Sequence, residues 1–239
     1  MAITPPAGYT ANIGPYFIQQ SSLTVSYSLP AGTDRLVAII LHDRTSATLN
    51  SLTFNGSPCT LAHENANSST WARIYYFLPG ALAAGTYDVV ATWSSDLFSG
   101  GITVMTLEGV DQASPVGAVG LRDINTPSTV SISYSTLAAD SLNLMACTVK
   151  HGDGAPFTPG SGMTEIYDGA SAVTASDVAY WAGYRITGAA GSYTFAVTPN
   201  QAGTAAVQQA GVAVEFRSSG GGGSPPVVIG GAALMIPIL

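Results

Sequence analysis

A nine-residue stretch that returns later in the chain constrains the fold more than any other feature. Ala84-Gly85-Thr86-Tyr87-Asp88-Val89-Val90-Ala91-Thr92 is answered by Ala190-Gly191-Ser192-Tyr193-Thr194-Phe195-Ala196-Val197-Thr198. Leu23-Thr24-Val25-Ser26-Tyr27 is answered in the same way by Val130-Ser131-Ile132-Ser133-Tyr134, at an offset of 107 residues against 106 for the first pair. A spacing this constant reads as an internal duplication, and it sets the architecture before any local assignment is made. Both copies alternate apolar and polar residues with a period of two, so the repeated unit is β. The expected fold is all-β: duplicated jelly-roll or immunoglobulin-like sandwich units, packed as one large sandwich or as two abutting domains.

The expected organisation is an N-terminal arm over 1–21, read as an arm or an edge segment and not as core, a first β-unit over 22–110, a join over 111–127, a second β-unit over 128–217, a flexible linker over 218–226 and an apolar tail over 227–239. Within the first unit, Ser22 to Ser28 alternates, while Arg35 to Leu41 is continuously apolar, as a strand covered on both faces should be. Asn55-Gly56 between two short strand patterns predicts a type I′ hairpin. Asn65 to Thr70 reads as a polar loop, and Trp71 to Leu78 as an aromatic strand. The second unit repeats this order. Residues 177–185 come nearest to a helix, but Tyr180, Trp181 and Tyr184 beside Gly183 favour a strand.

Composition excludes some functions. Only 9% of residues are charged, with seven Lys plus Arg against fourteen Asp plus Glu, a formal charge of -7. A nucleic-acid groove needs clustered cations, so none is expected. The first residues lack the basic and apolar runs of a secretory signal. Sparse charge and abundant Ser, Thr, Gly and Ala nonetheless fit life outside a cell, and a virion protein released by lysis reconciles the two. Cys59 and Cys147 cannot make a zinc site unaided, and both read as small buried hydrophobes. Position 147 aligns with Ile40 at the 107-residue offset.

Candidate chemistry is thin. His42-Asp43 and His151-Gly152-Asp153 each follow the long apolar strand of their unit, where strand ends collect polar residues, and no ligand spacing marks a metal. Gly160-Ser161-Gly162 lacks the flanking pattern of a nucleophile elbow. Glu165 with Asp168, and Glu64 near Asp43, read as solvated loop acids. No catalytic, cofactor or metal residue is expected. Trp71, Tyr75, Tyr76, Trp93, Tyr180, Trp181 and Tyr184 are the candidates for a sugar-stacking platform, with core packing as the alternative.

The feature with no core explanation follows Arg217. A glycine-rich tether, Ser218 to Ser224, leads through Pro225-Pro226 to an uncharged segment, 227–239. It is shorter than the roughly 20 residues of a membrane-spanning helix. Its apolar side chains, Val227, Val228, Ile229, Leu234, Met235, Ile236, Ile238 and Leu239, are the expected partner-binding residues.

The motif order resembles an all-β sandwich module of phage virion and bacterial extracellular proteins. Leu52-Thr53-Phe54-Asn55-Gly56, Ile74-Tyr75-Tyr76-Phe77-Leu78, Ala84-Gly85-Thr86-Tyr87, the run Leu107 to Pro115 and Ala213-Val214-Glu215-Phe216-Arg217 carry the resemblance, which spans about residues 22 to 217. It implies a fold and brings no catalytic residue. The expected function is a non-enzymatic virion structural protein, a decoration or fibre-type component, that docks on other subunits and forms homo-oligomers through its tail. The alternatives are a glycan- or host-surface-binding module and a bacterial surface or filament subunit.

Overall fold

A computed structural model describes residues 2–5, 8–13, 20–125, 128–150, 157–170, 178–200 and 208–220. Every regular element among them is a strand. The first half runs β1 (Tyr9–Ile13), β2 (Ser22–Leu29), β3 (Leu36–Arg44), β4 (Leu49–Phe54), β5 (Ser57–Pro58), β6 (Thr60–Asn67), β7 (Thr70–Phe77), β8 (Gly85–Trp93) and β9 (Ser99–Leu107). The second runs β10 (Val116–Ile124), β11 (Val130–Thr136), β12 (Ser141–Lys150), β13 (Phe157–Pro159), β14 (Thr164–Ala170), β15 (Val178–Thr187), β16 (Gly191–Pro199) and β17 (Gln208–Phe216).

Each half makes one wide and one narrow antiparallel sheet. The wide sheets have the orders β1-β9-β3-β7-β6 and β10-β17-β12-β15-β14; the narrow ones are β2-β8-β4-β5 and β11-β16-β13. Alternation decides which face each narrow-sheet strand buries. In β2, Leu23, Val25, Tyr27 and Leu29 are buried and the residues between them are exposed. Asn55 and Gly56 turn the β4–β5 hairpin with φ of 50° and 74°, the left-handed pair that its type I′ geometry requires.

The continuously apolar strands have a different cause. In β3, Val37, Ile39 and Leu41 pack towards the first narrow sheet, in one cluster with Val89, Ala91 and Phe54. Leu36, Ala38 and Ile40 face the opposite way and share a second cluster with Leu142, Leu144 and Ala146 of β12. The two wide sheets therefore lie back to back, and the molecule is a stack of four layers: narrow, wide, wide, narrow. Burying a Leu or Ile side chain contributes about 1.5–3 kcal/mol. The handful on this middle seam amounts to roughly the whole stability of an ordinary domain. The halves cannot part without exposing it.

Several sequence expectations shift here. The N-terminal segment takes the edge form of its two readings, with β1 an edge strand of the first wide sheet paired to β9. The join contains β10, an edge strand of the second wide sheet paired to β17. Most of the presumed polar loop 65–70 belongs to β6 and β7, and its asparagines bind the other half. Asn65 Nδ2 donates to Gly211 O at 3.0 Å and to Asp123 Oδ1 at 2.6 Å, and Asn67 Nδ2 donates to Gln209 O at 3.2 Å. Cys147 faces the second narrow sheet, whereas Ile40 faces the middle seam. Its counterpart by face is thus Leu41, one residue further on. Both cysteines are free thiols, Cys147 buried and Cys59 half-buried.

Candidate functional site

The first wide sheet is broader than the narrow sheet that covers it. β5 is only two residues long and pairs with β4 through Thr53↔Pro58 and Phe54↔Ser57. Beside this edge, β7 and β6 form the floor of a cleft of about 560 Å³, walled by the loop from Thr45 to Thr48 and by the Ser68-Ser69 turn. An adjoining recess of about 280 Å³ shares Leu49 and Tyr75 with it.

Period-two geometry places Trp71, Arg73 and Tyr75 of β7 on the floor. On β6 a register shift between Leu61 and His63 puts two residues three apart on the same face: Leu61 pairs with Tyr75 and Glu64 with Arg73. Arg73 is the organising residue. Its Nη1 donates to Asp43 Oδ2 at 2.8 Å, its Nε lies 3.1 Å from Glu64 Oε2, and its guanidinium sits over the Trp71 ring, 4.1 Å from the centroid. Asp43 is wholly buried, whereas the Glu64 side chain is 41% exposed to the cleft. Burial pushes the Asp43 carboxyl up to about 6, a rise that the Arg73 charge opposes. Burial also raises the Tyr75 phenol to about 12, so it enters the cleft as a neutral hydroxyl.

A second polar cluster lies on the middle seam. His42 is fully buried, with Nδ1 2.8 Å from Thr148 Oγ1 and its ring 5.2 Å from that of Tyr180. Tyr180 in turn shares a hydrogen bond with Ser99. Burial lowers the imidazole to about 3, so it is neutral at physiological pH. His42 and Thr148 stand 106 residues apart and meet across the two halves.

The structure sorts the sequence candidates. Trp71 and Tyr75 line the cleft. Trp93, Tyr180 and Trp181 are buried, and Tyr76 and Tyr184 pack on the middle seam. Glu64 and Asp43 come together through Arg73 instead of standing as loop acids. Glu165 accepts from Trp181 Nε1 at 3.1 Å and Asp168 from the Phe157 N–H at 2.8 Å, so both hold the second half in place. Ser161 sits in the β13–β14 turn, where Met163 N donates to Gly160 O. His151 and Asp153 lie outside the described residues, as do all eight partner-binding candidates, Val227 to Leu239. Among the described residues no three His, Cys, Asp or Glu side chains are grouped to hold a metal ion, and no helix is long and apolar enough to cross a membrane.

Sequence reading missed Arg73. Its signal was a lone cation inside an apolar, aromatic strand, where it must find a counter-charge if buried. No family model, curated protein or solved structure matches the chain.

Proposed function

We propose that the chain is a non-enzymatic structural protein of a virion, a phage decoration or fibre-type component that docks on neighbouring subunits through residues 227–239. The observation that carries this reading is the point from which that segment departs. Ser218 bridges to Val110, Ser219 N donates to Gly109 O at 2.7 Å, and Arg217 pairs with Asp111 at 3.6 Å. The chain is thus tied to the junction of the two sandwiches until one residue before the glycine run. A rigid point of departure reduces the ordering cost of delivering a tethered segment to a partner.

Strand addition is the physics we assign to the contact. An extended segment satisfies its backbone groups on a neighbour's sheet edge and inserts alternate side chains into pockets. At about 3.3 Å per residue, 227–239 reaches roughly 40 Å, enough to cross a subunit boundary. The same reading takes the two sandwiches as one jelly-roll-like unit used twice. It is supported by the matched strand orders and by the way the chain crosses between the sheets of each sandwich.

Light scattering on the full chain and on a version ending at Ser219 tests the anchor. The full chain is expected to assemble and the shorter one to remain a folded monomer. Equal assembly of the two would refute the mechanism.

A further inference from the structure

The chemistry of the cleft beside β4 and β5 selects a ligand. Five of its lining residues are aromatic or aliphatic, Trp71, Tyr75, Leu61, Leu49 and Ala47, with Leu61 42% exposed. The rest are hydroxyls from the Thr45–Thr48 loop and the Ser68-Ser69 turn, the partly exposed Glu64 carboxylate and Arg73. An apolar floor with a few convergent polar groups is the usual construction of a small-molecule site.

Charge narrows the class. An anion would need a free cation, but the Arg73 guanidinium is already held between Asp43 and Glu64. The three groups sum to one negative charge when both acids are ionised, in a chain of formal charge -7. The Trp71 ring already carries the Arg73 charge on one face, which disfavours a second cation on the same ring but not an apolar C–H surface against the part of it that lines the cleft. A neutral polyol avoids both conflicts. Its C–H face covers aromatic and aliphatic surface, and its hydroxyls both donate to Glu64 and exchange hydrogen bonds with the rim hydroxyls and the Tyr75 phenol. The ion triad fixes the Glu64 and Trp71 side chains before a ligand arrives, which lowers the ordering cost of binding.

We infer that this cleft is a binding site for a neutral pyranose oligosaccharide, with Trp71 and Tyr75 as its stacking surface and Glu64 as its hydroxyl acceptor. Among the described residues, the place that Arg73 takes opposite Leu41 is filled in the second sandwich by the fully buried Trp181 ring, opposite Cys147.

Tryptophan fluorescence of the full chain reads the site directly, because Trp71 is half-exposed while Trp93 and Trp181 are buried. The probes are cellotriose, maltotriose and chitotriose, against the charged trisaccharides of galacturonate and glucosamine. At least one neutral probe is expected to shift the emission saturably, and the charged ones to bind more weakly. Thr48→Trp, at an exposed rim position, should weaken binding about tenfold or more by filling the cleft. Glu64→Gln should weaken it by a smaller factor, and Ser135→Trp, on the exposed face of the other sandwich, should leave it unchanged. Calorimetric titration repeats the measurement without relying on the indole. The proposal fails if no neutral probe saturates by either readout, if a charged probe binds best, or if Thr48→Trp binds like the parent.

Discussion

The two sandwiches share a strand order and differ in what occupies the space beside the narrow sheet. In the first, Leu41 and Ile39 of β3 stand opposite Arg73 and Tyr75 of β7. In the second, Cys147 and Met145 of β12 stand opposite Trp181 and Gly183 of β15. The indole of Trp181 lies across Gly183, where an added Cβ would come within 2.4 Å of the ring, and its N–H is held by Glu165. One frame therefore carries two solutions. The second half fills the position with carbon and one neutral donor, whereas the first buries an ion pair and leaves a cleft above it. Burying charge costs stability that an indole does not. A fold that accepts the cheaper arrangement in one half and carries the costlier one in the other points to a role for the cleft beyond packing.

This contrast can be broken by removing the two tryptophans. Trp181→Ala is expected to cost about 4 kcal/mol in urea unfolding, because it leaves a large cavity. Trp71→Ala, at a half-exposed position, should cost only about 1 kcal/mol, chiefly the lost stack with Arg73. Equal losses would mean that the halves are packed alike at this place.

Arg73→Met probes the ion pair and should cost about 3 kcal/mol at neutral pH, since it leaves the Asp43 carboxylate buried without its counter-ion. The loss should shrink at pH 5. A carboxyl raised to about 6 in the folded state favours folding when protonated, and that contribution disappears as pH rises through 6. A loss that stays constant across this range would show that Asp43 is not the residue left unpaired.

A pH effect smaller than the loss in Arg73→Met concerns His42, whose counterpart Thr148 does not titrate in this range. The imidazole is lowered to about 3 by burial, so its contribution is present above the unfolded value of 6.5 and is lost as pH falls. Asp43 acts in the opposite direction over an overlapping range. Between pH 7 and 5, His42→Gln should therefore lose about 2 kcal/mol less than the parent. Parallel pH profiles would show that His42 is not protonated on unfolding.

Much of this frame was legible from residue order. The hairpin at Asn55-Gly56 and the alternation in Ser22–Leu29 announce their own geometry, and continuous apolarity in 35–41 demands cover on both faces. The covering layer for the second face was not legible, because nothing local says that it is the wide sheet of the chain's other half. Strand β10 was hidden for a related reason. As an edge strand it buries little, and Val116–Ile124 carries glycines and charges as a loop would. Strand β6 was hidden by asparagines that look solvated yet bond to Gly211 and Gln209 across the seam. The offset itself misled at Ile40 and Cys147, since a slip of one residue exchanges the two faces of a strand. Of the cleft, Trp71 and Tyr75 were legible as aromatics. Arg73 and the bulge that brings Glu64 beside it depend on cross-strand register, which a single strand's sequence does not contain.

The two sandwiches are one body joined through their wide sheets. Scanning calorimetry of the full chain tests this most directly. The account predicts a single transition, with calorimetric and van't Hoff enthalpies equal, that Trp181→Ala lowers as a whole. Two resolved transitions, with Trp181→Ala moving only one of them, would contradict it.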